Sequence, residues 1–316
     1  MSDVLSSVLG DMDPGKFLAE HWQRKPLLVR SAIPEYVSPI SGDELAGLAM
    51  ESEVESRIVL ENWKGKPWVL RHGPFAESEF EELPASHWTL LVQAIDLWVP
   101  ETQALLDRFD FLPRWRLDDL MVSFAPAGGS VGPHFDQYDV FLLQVEGHRH
   151  WRLGGSCDSN TPLLAGTDLG ILQEFTSHED WLLGPGDMLY VPPNVAHWGI
   201  AESDCLTFSI GFRSPRFSDM LGDLAVELAA GETALGHEYY RDPPLTPAMA
   251  GEAIDPAFVS KARQTLVDLI DNEALIADWL ARYMTQPKYP DLVEMTGEKR
   301  RARINGRDYE NGEPDQ

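Results

Sequence analysis

Two separated segments of the 316-residue chain carry side chains that together could hold a metal ion. The first contains His134 and Asp136 in the order His-Phe-Asp, and the second ends at His197 after a Gly-Asp turn and a Pro-Pro pair. In an extended strand, residues i and i+2 point to the same face, which predicts that His134 and Asp136 project side by side. Two imidazoles and one carboxylate form the facial triad of non-haem Fe(II), which leaves coordination positions open. The structural alternative is a core histidine hydrogen-bonded to Asp136, and it leaves the second segment unexplained.

Arg149 is a cation predicted to lie on the apolar face of a strand. On the strand predicted for residues 149–153, Arg149 shares one face with Trp151 and Leu153. An unpaired buried charge is costly, so this arginine needs an anion. A cosubstrate carboxylate would supply one by bidentate pairing with the guanidinium group. The structural alternative is an ion pair with an Asp or Glu from another strand.

Two further predicted strands, residues 119–125 and 206–212, each have one apolar face and one smaller, more polar face. The positions on the polar faces are Asp119, Met121, Ser123, Thr207, Ser209 and Gly211. A polar strand face is exposed to solvent by default, or it lines a pocket. In a pocket, Asp119 would be a carboxylate placed to receive a cationic side chain. The spacing leaves both interpretations open.

The elements that must position these residues are short strands. Closely spaced strands separated by Gly and Pro predict an antiparallel sandwich or barrel between about residues 118 and 213. The strands predicted there are 119–125, 138–145, 149–153, 187–192 and 206–212. Upstream, strands are predicted at residues 26–30, 57–62 and 66–71, and an apolar stripe predicts a helix at residues 89–99.

After residue 215 the pattern becomes helical, over residues 217–230, 257–272 and 273–284. These helices carry more apolar positions than one exposed layer needs, and we expect a second subunit to cover them. The positions are Phe258, Leu266, Leu269, Ile270, Leu275, Ile276, Trp279 and Leu280. Residues 286–316 are polar and form either a small appendage or a frayed tail.

Composition excludes several classes of protein. The formal net charge of −26 argues against a general nucleic-acid binder and favours basic partners, although plain solubility is the simpler interpretation. Cys157 and Cys205 are the only cysteines, which excludes a disulfide framework and a zinc–cysteine cluster. The N-terminal residues do not read as a signal peptide, and no stretch approaches about 18 consecutive apolar residues. We therefore expect a cytoplasmic protein with no membrane association.

Together these motifs resemble those of the Jumonji-C (JmjC) type Fe(II)/2-oxoglutarate oxygenases, and within them the bacterial ribosomal oxygenases. The resemblance covers most of residues 14–285. The segments that carry it are residues 17–30, 118–121, 132–136, 137–144 and 147–153, the region of His197, and residues 209–212.

The resemblance implies a mainly β fold with helices, built on a double-stranded β-helix (jelly-roll, cupin-like) core. It implies a JmjC-type oxygenase domain at residues 1–214, with its core at about 90–214, and a helical dimerisation region at 215–285. Residues 286–316 would be a short C-terminal appendage, a truncated winged helix, because they are too few for a whole one.

The resemblance also assigns the site. His134, Asp136 and His197 would bind Fe(II) and form the catalytic centre. Arg149 would bind 2-oxoglutarate, with the Ser123 hydroxyl as a helper. The pocket for the target side chain would consist of Asp119, Met121, Tyr138 and Ser209.

The implied activity is hydroxylation of an arginine side chain in a basic protein of the large ribosomal subunit, with 2-oxoglutarate and O2 as cosubstrates. The enzyme would be a cytoplasmic homodimer with no direct nucleic-acid partner. One alternative is an oxygenase that acts on a histidine. Asp119 argues against this alternative, because a carboxylate favours a cationic target. The other alternative is a non-catalytic jelly-roll binding module whose metal is structural.

Overall fold

The computed structural model describes residues 8–230 and 239–315. The chain divides into two compact units, Met1–Ser214 and Pro215–Gln316. The described part of the chain does not include residues 1–7, 231–238 and 316. The predicted domain ranges include these positions, and the first of them begin the N-terminal segment.

The first unit combines short helices with many strands. Its helices are α1 (Pro14–Glu20), α2 (Gly42–Leu48), α3 (Glu77–Glu81), α4 (Ile95–Trp98) and α5 (Gln103–Leu106). Its strands are β1 (Leu27–Val29), β2 (Ser56–Trp63), β3 (Lys66–His72), β4 (Trp88–Val92), β5 (Leu117–Ala125), β6 (Val140–Glu146), β7 (Arg149–Ser156), β8 (Glu179–Leu183), β9 (Met188–Val191), β10 (Val195–Ala201) and β11 (Cys205–Phe212).

These strands form two antiparallel sheets. The larger has eight strands in the order β1-β9-β6-β11-β5-β4-β2-β3, and the smaller has the order β10-β7-β8. A cluster of buried apolar residues joins the two sheets, with Leu142 and Leu189 from the larger sheet and Trp151 and Leu153 from the smaller. The predicted mainly β, jelly-roll fold is confirmed.

The larger sheet is covered on its other face as well. Phe141 of β6 and Phe208 of β11 belong to a second core, which also contains Phe17 of α1 and Leu45 of α2. Every residue of β11 is buried, because this strand lies in the middle of the sheet between two packed faces. The residues between the two sheets are therefore held by a rigid frame.

The predicted helix at residues 89–99 is wrong for most of its length. Residues Trp88–Val92 form β4, which pairs with both β2 and β5, and only Ile95–Trp98 are helical. Ala94, with a φ of 51°, adopts the left-handed conformation that separates the two elements. Both faces of β4 are covered, so Leu90 and Leu91 are both buried. The resulting run of apolar residues resembles the apolar stripe of an amphipathic helix.

The second unit contains α6 (Phe217–Ala229), α7 (Pro256–Ile270), α8 (Glu273–Thr285) and α9 (Val293–Thr296). It ends in a three-stranded antiparallel sheet of β12 (Arg301–Ile304), β13 (Arg307–Glu310) and β14 (Glu313–Pro314). Tyr309 of β13 is buried and donates a hydrogen bond to Asp278 of α8, so this segment is not a frayed tail. Among the described residues, no helix has both the length and the apolar character needed to cross a membrane.

Candidate active site

His134 and His197 lie next to each other on two extended segments. The His134 amide donates to the His197 carbonyl over 3.0 Å, the His197 amide donates back over 2.8 Å, and the ring centroids are 4.3 Å apart. Asp136 Oδ2 is 3.5 Å from His197 Nε2. One ligand atom from each of the three residues lies within 4.8 Å of the others. The structure thus brings together the three residues that the spacing singled out.

Main-chain carbonyls orient both imidazole rings. His134 Nδ1 lies 2.9 Å from the Gly132 carbonyl, and His197 Nδ1 lies 2.9 Å from the Val195 carbonyl. A carbonyl only accepts hydrogen bonds, so each Nδ1 carries the proton and each Nε2 keeps its lone pair for a ligand. Gly132 permits this arrangement because its φ is +81° and a Cβ atom there would approach Ile171 to 3.0 Å.

The donor set fits a divalent transition metal. His197 is only 2 % exposed, and this burial, with a contribution from His134, lowers its pKa to about 4. The ring is therefore neutral at physiological pH, as a metal ligand must be. Two imidazoles and one carboxylate match the facial triad of Fe(II) oxygenases.

A buried polar network surrounds Asp139, three residues after Asp136. Asp139 is fully buried, and it accepts hydrogen bonds from Tyr190 Oη (2.6 Å) and Gln23 Nε2 (3.1 Å). Arg116 Nη2 lies 3.5 Å from the same carboxyl group. Burial raises the pKa of Asp139. This network fixes the far end of the loop that carries His134 and Asp136 between β5 and β6.

Arg149 is buried, with only 3 % of its surface exposed. Its Nη2 donates to Cys205 Sγ over 3.5 Å, its Cζ lies 5.8 Å from the Trp151 ring centroid, and its Nε has no hydrogen-bond partner. In the described part of the chain no carboxylate forms an ion pair with it, so the structural alternative finds no support. The guanidinium group remains in need of an anion.

The polar faces of β5 and β11 are directed to the space between the sheets. Ser209 pairs with Met121 and Thr207 pairs with Ser123, which places these side chains on one common face. Ser123, Thr207 and Ser209 are all buried, as is Asp119 at 7 % exposure. The interpretation as a solvent-exposed face is therefore excluded, and these residues line the interior.

Of the residues predicted to bind the target side chain, Tyr138 lies next to the metal-ligand candidate Asp136. Tyr138 is 40 % exposed, and the nearby Asp136 carboxylate raises its pKa, so the phenol stays protonated. Asp119 accepts a hydrogen bond from Gln93 Nε2 over 3.3 Å. Arg57 Nη2 lies 3.9 Å from Met121 Sδ.

Sequence reasoning missed three residues of this site: Gln93, Arg57 and Cys205. Gln93 was hidden inside the wrongly predicted helix, although the alternation of Thr89, Leu91 and Gln93 is a weak strand signal. Arg57 and Cys205 carry no signal in the sequence. Strand pairing within the larger sheet brings Arg57 towards β5, and the packing of the two sheets brings Cys205 to Arg149.

Comparison with known proteins gives the family. A JmjC domain profile matches residues 104–220. The chain is 39% identical over 273 residues to the ribosomal protein uL16 3-hydroxylase of Escherichia coli K12, covering 86% of this chain and 71% of that protein. It is 40% identical over 213 residues to a probable ribosomal oxygenase of Haemophilus influenzae, covering 67% of this chain and 52% of that protein.

Solved structures agree with this result. The fold is similar to the structure of YcfD, a ribosomal oxygenase from Escherichia coli, in complex with cobalt and 2-oxoglutarate. The TM-score is 0.84 at 35% identity, over 96% of this chain and 85% of that chain. The same protein in complex with cobalt and succinic acid gives a TM-score of 0.82 at 34% identity, over 96% of this chain and 85% of that one. This chain therefore belongs to the ribosomal oxygenases of the JmjC Fe(II)/2-oxoglutarate-dependent family, as its motifs predicted.

Proposed function

We propose that this protein is an Fe(II)- and 2-oxoglutarate-dependent dioxygenase that hydroxylates an arginine side chain of the large-subunit ribosomal protein uL16. The observation that carries the proposal is the group of His134, Asp136 and His197 in the same interior as Arg149, a buried cation that lacks a carboxylate partner in the described chain. The substrate is inferred from the relative named ribosomal protein uL16 3-hydroxylase.

His134, Asp136 and His197 would hold the Fe(II) ion. With 2-oxoglutarate and O2, the bound metal supplies oxidative decarboxylation of 2-oxoglutarate to succinate and CO2, and insertion of one oxygen atom into a C–H bond. Arg149 would pair with the distal carboxylate of 2-oxoglutarate, since its guanidinium group is buried and lacks an anion. Ser123, buried at 4 % exposure on β5 of the other sheet, would add a hydroxyl group to the same subsite.

Asp119 would bind the guanidinium group of the target arginine. The carboxylate is buried on the interior face of β5, and the half-buried Met121 lies on the same face. Tyr138 would pack against the aliphatic part of the arginine, and Ser209 would donate or accept one further hydrogen bond. A buried carboxylate fits a cationic target better than a neutral imidazole, which favours arginine over the histidine alternative.

The whole chain suits a basic partner. Its net charge of −26 attracts a basic ribosomal protein and repels nucleic acid, so we propose no direct nucleic-acid contact. The apolar side chains of Phe217, Leu221 and Leu266 are exposed on α6 and α7, which supports the proposal of a homodimer formed through the helical region. A uL16-modifying enzyme would act in the cytoplasm.

The test is to incubate the protein with purified uL16, Fe(II) and 2-oxoglutarate in air, and to measure succinate and the mass of uL16. We expect the mass of one oxygen atom to be added to one arginine. His134→Ala should abolish the reaction, whereas His72→Ala, at an exposed position at the end of β3, should not. Oxygen on a histidine would contradict the arginine assignment. Absence of 2-oxoglutarate turnover would favour the non-catalytic binding module.

A further inference from the structure

Gln93 follows β4 directly and contacts the carboxylate proposed to bind the substrate. Its Nε2 donates to Asp119 Oδ2 over 3.3 Å. Only the NH2 group of the amide donates, so this contact defines which end of the carboxamide faces the carboxylate. The other end, Gln93 Oε1, is buried and has no hydrogen-bond partner. A buried carbonyl oxygen without a donor is rare because it costs free energy, and a ligand that supplies the donor would remove that cost.

The hydrogen bond to Asp119 places the Gln93 carboxamide on the interior face of the larger sheet. Leu91 of β4 pairs with Ser123 of β5, so these two side chains share a face. Asp119 precedes Ser123 by four residues within β5 and lies on the same face, and Gln93, one residue past the end of β4, donates to it there. The unpartnered oxygen therefore belongs to the interior that contains the proposed substrate pocket.

Hydrogen bonds hold the backbone at Gln93 and next to Asp119. The Gln93 amide donates to the Glu55 carbonyl over 2.9 Å. The amide of Leu120, the neighbour of Asp119, donates to Asp96 Oδ1 over 2.9 Å. Because these hydrogen bonds hold the backbone at Gln93 and next to Asp119, the carboxamide and the carboxylate are held in one arrangement before any substrate binds.

An arginine side chain fits these two acceptors. A guanidinium group is planar and presents five N–H donors in a fixed fork, so one edge can bond Asp119 while another N–H reaches a second acceptor. A lysine ammonium group concentrates its donors at one point, and an imidazole has only two ring nitrogens that point apart. Arg57 contacts Met121 and is a positive charge close to the proposed pocket. Because this charge repels the substrate guanidinium group, an additional hydrogen-bond acceptor in the pocket favours substrate binding.

We propose that Gln93 determines the specificity of the pocket for arginine: its Oε1 accepts a hydrogen bond from the substrate guanidinium group, while its Nε2 holds the Asp119 carboxylate in place. This inference rests on the proposed function, because it assigns Asp119 to the target side chain. It adds to that function a residue that distinguishes arginine from lysine and histidine.

The test compares Gln93→Met, which keeps the length of the side chain and removes both polar groups, with Gln103→Met. Gln103 is exposed and makes a comparable bond to Asp107 over 3.0 Å, so it is a matched control outside the pocket. The first measurement is the KM for uL16. The second is the Kd of a small probe, N-acetylarginine amide, determined by NMR in the presence of 2-oxoglutarate with Mn(II) in place of Fe(II).

We expect Gln93→Met to raise the KM for uL16 and the Kd of the arginine probe by about tenfold to a hundredfold, the range for a lost hydrogen bond to a charged group. The Kd of 2-oxoglutarate and the melting temperature should stay at the wild-type values, as both should in Gln103→Met. Unchanged KM and probe Kd in Gln93→Met would overturn the inference. So would a rise in the Kd of 2-oxoglutarate of the same size, which would indicate a general structural role.

The two arms separate this inference from the proposed function. If uL16 is not hydroxylated but the arginine probe loses affinity in Gln93→Met, the substrate is wrong and the role of Gln93 stands. If uL16 is hydroxylated equally well by both proteins, the function stands and the inference fails. Should Gln93→Met not fold, the wild-type protein decides: N-acetylarginine amide should bind at least about fivefold more tightly than N-acetyllysine amide, and equal affinities would overturn the inference.

Discussion

At the scale of single residues, the surroundings of His197 set its protonation state. The folded protein lowers the pKa of His197 from 6.5 to about 4, mainly by burial. The folded state therefore binds fewer protons than the unfolded state between these two values. Stability from this group is present above the unfolded pKa and is lost as the pH falls from about 6.5 towards 4.

This effect predicts a loss of about 2 kcal/mol of unfolding free energy between pH 7 and pH 5 from His197 alone. Urea unfolding of the metal-free protein at both pH values measures it. Over the same interval, the unfolding free energy of His197→Gln should fall by about 2 kcal/mol less than that of the wild-type protein. All other titrating groups are shared, so their contributions cancel when the two proteins are compared. Equal losses in the two proteins would show that His197 is not kept neutral by burial.

Arg149 gives a second prediction at this scale. Arg149→Gln should raise the Kd of 2-oxoglutarate by about tenfold or more, since a charged hydrogen-bond donor is replaced by a neutral one. Isothermal titration with Mn(II) in place of Fe(II) measures the constant. Arg152→Gln, on the opposite face of β7, is the matched control and should bind 2-oxoglutarate normally. Similar weakening in both variants would contradict the assignment of Arg149.

Cys205 accepts a hydrogen bond from Arg149, so it should influence the same constant to a smaller degree. The sequence alone could not link these two residues, because Cys205 lies 56 positions after Arg149 and meets it only through the packing of the two sheets. The meeting of His134, Asp136 and His197 could be predicted, in contrast, because the His-x-Asp spacing and the Gly-Asp and Pro-Pro signals are local.

At the scale of elements, strands with a clean alternation were predictable and irregular ones were not. In β5 the alternation of apolar and polar residues matches the pleat, and the predicted strand at residues 119–125 agrees with Leu117–Ala125. Strand β10, which carries His197, was missed. Its pairing with β7 shifts register between Val195 and His197, and this irregularity interrupts the period of two.

The close approach of β10 to β7 gives a prediction for Gly199. A Cβ atom at Gly199 would lie 2.7 Å from the Trp151 ring, whereas one at Gly155 meets only His178 at 3.5 Å. Gly199→Ala should therefore lower the free energy of unfolding by about 1–3 kcal/mol, the usual cost of overpacking. Urea unfolding measures this value, and Gly155→Ala is the control, expected to change stability far less. Equal stabilities of the two variants would contradict the packing between these strands.

At the scale of the whole molecule, the helices of the second unit expose several large apolar side chains. Leu266 is 63 % exposed and Ile270 is 50 % exposed on α7, while Trp279 of α8 is buried. The sequence predicted an excess of apolar positions on these helices. It could not show which positions the unit itself covers, because that depends on tertiary packing.

If a second subunit covers this surface, the protein should have twice the chain mass of 35.4 kDa in light scattering after size exclusion. The double variant Leu266→Glu/Ile270→Glu should be a monomer, because buried charges disfavour an apolar interface. Lys261→Glu, also on α7 but at a polar exposed position, should remain a dimer. A wild-type monomer would contradict the proposed homodimer.

The most direct test of the central claim is an anaerobic titration of the protein with Fe(II) and 2-oxoglutarate, monitored by visible absorption. A ferrous ion held by the three protein ligands would leave positions open for chelation by 2-oxoglutarate, and the complex would show a charge-transfer band because light moves an electron from Fe(II) to the keto group. We predict a band that saturates at one Fe(II) per chain and is absent in His134→Ala and His197→Ala. A wild-type protein that binds Fe(II) but shows no band with 2-oxoglutarate would contradict the account.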